Sequence, residues 1–98
     1  MPINYKIEAE KLTVSPEGRL DTMTSPEFEK ELLNLLGGVS NLVLDMSKVE
    51  YVSSAGLRVI LKAQKVMFNQ GEMKLVGVNE NVMEVFEITG FSNILKIE

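Results

Sequence analysis

The stretch "LVLDMSKVEYVSSAGLRVIL", residues 42–61, decides the fold. With Asn41 it opens as a short, nearly continuous apolar run ending at Met46. Such a run suits a strand covered on both faces, as in a parallel sheet. A second apolar segment carrying Tyr51 then breaks into Ser53, Ser54, Ala55 and Gly56. The chain resumes as a helix with Leu57, Ile60, Leu61 and Phe68 on one side, stopping at Gly71. Two adjacent hydroxyls therefore stand where a buried segment turns into a helix.

Downstream, "EMKLVGV" is strand-like, and Asn79 is placed to cap a third helix carrying Val82, Val85 and Phe86. Gly90 followed by Phe91 suits a helix-ending glycine with an apolar residue beyond it, and "ILKI" alternates as a closing strand. Strand, helix, strand, helix, strand implies parallel strands joined by right-handed crossovers. Residues 42–46, 73–78 and 94–97 are expected in one sheet, the first two parallel.

Upstream, Ile3, Tyr5 and Ile7 alternate with Asn4, Lys6 and Glu8, the period of a half-buried strand. Leu12 and Val14 continue it after Ala9-Glu10-Lys11, which predicts a hairpin, and Pro16 ends or edges the second strand. In "TSPEFEKELLNLLGG", Thr24 and Glu27 have the spacing of a capping box, with Ser25-Pro26 as the alternative start. Phe28, Leu32, Leu35 and Leu36 give the apolar face, and Gly37-Gly38 the stop. Helices are expected at about 25–36, 55–69 and 80–89. No linker, repeat or low-complexity segment interrupts the chain. The expectation is a single α/β domain over residues 1–98, a mixed sheet with parallel core strands and helices packed on it.

A chain of 98 residues, 45% apolar and 24% charged, is an ordinary size and composition for one globular core. No apolar run approaches the roughly 18 residues of a membrane helix, and the first residues lack the pattern of a secretory signal. With no cysteine there is no disulfide framework or thiolate site, which fits a reducing cytoplasm. Fourteen acidic against ten basic side chains give a net charge of −4, unlike a protein that neutralises nucleic-acid phosphates. There is no histidine either.

Three roles remain for the serines. A nucleophile on a strand-to-helix turn is similar to the elbow of α/β hydrolases, but Val52 stands where that motif needs its first glycine. No histidine is available to take the proton, and serine without a base is a poor nucleophile. A helix cap is favoured by local pattern, since Ser53 or Ser54 could accept from orphan backbone N–H groups. A modification site is compatible with a cap, because a phosphate at a helix N-terminus meets free donors and the positive end of the helix dipole.

At this point the sequence resembles the STAS domain of bacterial anti-sigma factor antagonists. The quoted stretch is similar to that family's signature: an apolar strand, Asp-x-Ser-x-Val, an aromatic-apolar pair, a Ser-x-Gly-Leu turn and an aliphatic helix. "GRLDTMTSPEFEKEL" resembles its Gly-x-Leu-Asp element and following helix, and the likeness runs to "FSNILKI". The resemblance implies that Ser54, two residues before the turn glycine, is phosphorylated by a serine kinase that is itself the anti-sigma factor. It implies a partner surface of Asp21, Thr22, Met23, Ser53, Ser54, Gly56, Leu57 and Arg58, with a serine phosphatase as a further partner. The implied function is release of a sigma factor, in the cytoplasm, without catalysis, cofactor, metal, membrane or direct nucleic-acid contact. Ser53 departs from the pattern, since family members often have aspartate there, and it is a second candidate acceptor. The alternative is a non-phosphorylated scaffold or accessory subunit of a stress-signalling or transport complex.

Arg58, Lys62 and Lys65 form a basic stripe on the second helix, and Glu80, Glu84 and Glu87 an acidic one on the third. Either these are solvated faces exchanging weak ion pairs, or the basic stripe extends the docking surface and steers an acidic partner. Asp45 is expected to hold backbone N–H groups of the turn after its strand. Of the six methionines, most are expected as core filler, with Met23 near the docking site.

Overall fold

A computed structural model describes residues 2–98. The alternating N-terminal segment forms strands β1 (Ile3–Glu8) and β2 (Lys11–Pro16), paired antiparallel from Ile3↔Pro16 to Glu8↔Lys11. Ala9 makes the tight turn between them in the left-handed region, at φ 55°. After β3 (Gly18–Leu20) and helix α1 (Ser25–Asn34) comes β4 (Asn41–Asp45), parallel to β2. Then follow β5 (Val49–Val52), α2 (Ser54–Phe68), β6 (Glu72–Val76) and α3 (Glu80–Thr89). The main sheet has the order β1-β2-β4-β6, with β6 parallel to β4, while β3 and β5 form a separate parallel pair.

The expected α/β architecture, with parallel core strands and three helices, is therefore present. Register explains the core. Leu12 and Val14 of β2 pair with Leu42 and Leu44 of β4, which pair with Met73 and Leu75 of β6. All six are buried on one face, where Phe28 and Leu32 of α1, Ile60, Ala63 and Met67 of α2, and Val82 and Phe86 of α3 complete one hydrophobic cluster. Asn79 caps α3 as expected, its Oδ1 accepting from the Val82 N–H at 2.8 Å, and Gly90 ends that helix in the left-handed region. Asp45 Oδ1 accepts from the Ser47 N–H at 3.1 Å, the turn role expected of it. Met46, Met67 and Met73 are core filler, and Met1 lies outside the described residues.

The run "LVLDM" is buried on both sides of its strand, as expected: Leu42 and Leu44 belong to the main cluster, and Val43, aligned between Thr13 and Lys74, is buried outside it. Four expectations need correction. Tyr5 and Ile7 stay 57% and 55% exposed, because β1 is the sheet's edge and its apolar face runs past the helices. Phe68 is 82% exposed; the buried stripe of α2 passes through Val59, Ile60, Ala63 and Met67, and Phe68 is its last residue, one step past that stripe. Residues 94–97 form no strand. The chain is still turning through Phe91–Asn93, with the Leu95 N–H bonded to the Phe91 carbonyl, so only one bridge, Leu75↔Ile97, remains. Finally, Thr24 makes no capping bond to α1.

Candidate docking site at the start of helix α2

The site begins with a close approach. A Cβ at Gly56 would sit 2.7 Å from the Leu20 carbonyl oxygen and 2.9 Å from the Leu20 Cβ. Glycine thus lets the first turn of α2 lie against the end of β3, and the Ser53 N–H donates to that same Leu20 oxygen at 2.8 Å. The strand-to-helix turn and the loop after β3 are locked together as one surface.

Within that loop Asp21 is the organiser. Its Oδ1 accepts from the N–H groups of Met23 at 3.0 Å and Thr24 at 3.1 Å. The Thr24 hydroxyl, turned away from α1, accepts from the Asp21 N–H and donates to the Arg19 carbonyl at 2.6 Å. The Thr24 N–H bond is the main reason the Asp21 carboxyl is held below its ordinary value of 3.8. Desolvation opposes this, while the Met23 N–H, the Thr24 hydroxyl and Arg19 reinforce it. Arg19 lies 3.7 Å from Asp21 and stacks over the Tyr51 ring at 4.6 Å, tying β5 to the same loop.

The two serines divide. Ser53 is the residue before α2, in extended backbone, yet its side chain makes no capping bond and its Oγ is shielded from solvent without a hydrogen-bond partner. Ser54 is the first helical residue and is exposed. It borders a groove of about 260 Å³ with Leu57, Arg58, Leu61, Thr89 and Phe91. Arg58 also borders a second groove, beside Thr22, Ser25, Glu29, Ala55 and Lys62. Met23 projects 86% exposed from the loop but lines neither groove, and Gly56 and Leu57 are buried. The sequence pattern missed Thr89 and Phe91, which reach the site only through packing of α3 and the turn after it, and missed Thr24 and Arg19, whose roles are tertiary.

The basic stripe is not matched to the acidic one. Lys62 Nζ bonds Glu29 of α1 at 2.8 Å, and among the described residues no ion pair joins the stripe to Glu80, Glu84 or Glu87. No group of residues that could hold a metal ion occurs among the described residues, and none of their helices is long and apolar enough to cross a membrane.

The family model described as STAS domain matches residues 2–98. The chain belongs to the STAS family. Among similar proteins, BtrV of Bordetella bronchiseptica, provisionally named an anti-sigma factor antagonist, is 37% identical over 83 residues, which is 83% of this STAS domain and 72% of that protein. The anti-sigma-B factor antagonist of Listeria monocytogenes is 32% identical over 94 residues, covering 93% of this domain and 82% of that protein. Among solved structures, the anti-sigma factor antagonist SpoIIAA in its unphosphorylated form superposes with TM-score 0.84 over 99% of this domain and 88% of that chain. Its phosphorylated form, from Bacillus, gives TM-score 0.75 over 99% and 91%. At 14% identity these two share the fold alone.

Proposed function

We propose that this STAS domain is an anti-sigma factor antagonist: it binds an anti-sigma factor that is also a serine kinase, and phosphorylation of Ser54 ends the binding. The observation that carries this is the exposure of Ser54 on the first residue of α2, beside a groove and fixed by the contact of Gly56 with Leu20. The names of the relatives and the two solved forms of SpoIIAA support it. In the proposed step the partner's ATP gives its γ-phosphoryl group to Ser54 Oγ, releasing ADP and the hydroxyl proton. A serine phosphatase resets the switch by hydrolysis. The domain itself acts by binding, in the cytoplasm with its partner, and any ATP belongs to the kinase.

Unmodified, Ser54, Thr22, Met23 and Arg58 form the docking surface, with Asp21, Ser53, Gly56 and Leu57 shaping it from behind. A phosphate adds about −1.5 to −2 charges to a surface that loses water on binding. Burying an unpaired charge costs several kcal/mol, and each 1.4 kcal/mol is about tenfold in affinity. Release therefore needs no large change of shape. The test is to titrate the parent, Ser54→Asp and Ser54→Ala against an anti-sigma factor kinase from the same genome. Ser54→Asp should bind at least about tenfold more weakly, by that arithmetic. Ser54→Ala should bind but accept no phosphate. Equal affinity of Ser54→Asp and the parent would remove the switch.

A second function, a scaffold or accessory subunit that is never phosphorylated, is favoured by one feature. Ser53, at the position where family members often carry aspartate, offers neither charge nor an accessible hydroxyl to a kinase. Phosphate mapping by mass spectrometry after kinase treatment separates the two, since the scaffold predicts none.

A further inference from the structure

Arg58 is an exposed cation with no ion pair or hydrogen bond among the described residues, whereas Lys62, one turn further along α2, is held by Glu29. It stands four residues after Ser54, and the two share one groove. Residues at that spacing are neighbours on a helix surface, and the favoured order places the anion N-terminal to the cation. Helical side chains also lean toward the N-terminus, so the guanidinium of Arg58 can reach the turn in which Ser54 lies. No acidic side chain occupies the first turn of α2 to compete for it. The N–H groups of Ser54, Ala55 and Gly56 have no acceptor among the described residues, and the Ser53 hydroxyl caps none of them.

We propose that Arg58 is the intramolecular counter-ion of a phosphate on Ser54, so that the modification both tightens the first turn of α2 and withdraws Arg58 from the docking surface. The proposal rests on Ser54 being the acceptor. Its planar fork suits two phosphate oxygens, leaving the third for the free N–H groups of the turn. Phosphorylation then acts twice on the partner: it brings a negative charge into the interface, and it turns a cation that faced the partner back onto its own helix.

The phosphate is installed without a kinase. The full chain is made with phosphoserine incorporated at position 54 during translation, in the parent and in Arg58→Gln and Arg58→Lys backgrounds, each beside its unmodified counterpart. Thermal unfolding at low and high salt is read for all six proteins, and the second ionisation of the phosphate is followed by phosphorus NMR. The phosphate should raise the parent's Tm by about 4 °C or more, the shift that one charge-assisted bond gives a domain of this size. The gain should be largely lost in Arg58→Gln, partly kept in Arg58→Lys, and smaller at high salt. The phosphate should ionise at lower pH in the parent than in Arg58→Gln. Equal Tm gains and equal ionisation in the parent and Arg58→Gln overturn the counter-ion, as does a phosphate that lowers the parent's Tm. Binding to the anti-sigma partner separates this from the switch itself. If phosphate abolishes binding while the Tm gain ignores Arg58, only the counter-ion fails; if the gain needs Arg58 but binding is unchanged, only the switch fails.

Discussion

Gly56 carries the tightest constraint at the site, because the atoms a Cβ would meet are the backbone oxygen and Cβ of Leu20. Backbone cannot swing aside as a long side chain can, so Gly56→Ala should destabilise by about 2–3 kcal/mol, the upper part of the usual range for overpacking. Gly37 has open space around its Cβ position, and Gly37→Ala should stay within about 0.5 kcal/mol of the parent. Urea unfolding of the two variants checks the contrast; equal losses would mean that the Leu20 contact is not the cause. Asp21 makes a prediction in pH. Its carboxyl is held below 3.8 in the folded chain, so the stability it contributes is present above that value and fades as pH falls through the lower folded value. Asp21→Asn cannot titrate, and its stability should fall less steeply than the parent's below about pH 4. Urea midpoints across the acid range would reveal it, and parallel curves would refute it.

The helices differ in what starts them. Asn79 both accepts from the Val82 N–H and donates through Nδ2 to the Val49 carbonyl at 2.9 Å, fastening α3 to β5. Asn79→Ala should lose about 1–2 kcal/mol. The Ser53 hydroxyl, in the equivalent place before α2, bonds nothing, so Ser53→Ala should lie within about 0.5 kcal/mol of the parent, since a shielded unpaired hydroxyl contributes little. A comparable loss for both, measured by denaturant midpoints, would show that Ser53 caps in solution. These elements were legible in sequence to different degrees. Asn79 and Gly90 bracket α3 because capping chemistry is local, and its expected bounds match the structure. The phase of α2 was harder, since Leu61 and Phe68 repeat at helical spacing yet only the approach to β6 and α1 decides which stripe is buried. Thr24 and Glu27 had the spacing of a cap, but Asp21 recruits the Thr24 hydroxyl first.

One hydrophobic cluster joins the main sheet, the β3–β5 pair and all three helices. Phe28 of α1 and Phe86 of α3 are both fully buried in it, and truncation of either to alanine should cost about 3–5 kcal/mol. Because the core is shared, circular dichroism and tyrosine fluorescence should report one coincident transition in each variant. Separate transitions would mean that the pieces fold independently. The parallel β4–β6 pairing was readable from the alternation of strands and helices, whereas β3 and β5 are too short to announce a second sheet. Ser54 and Arg58 were readable because they share one helix; Thr89 and Phe91 join them only across the fold. The strand order has a further consequence for synthesis. The β1–β2 hairpin closes locally, but the other partner of β2 is β4, so Leu12 and Val14 wait with an open edge until Asp45 has been made. At about 5–20 residues per second, the roughly 29 residues after Pro16 take about 1.5–6 s. During those seconds the nascent chain carries a half-sheet with an unpaired edge, and Lys6, Glu8 and Lys11 are charges on its two strands of the kind that blunt edge-to-edge pairing.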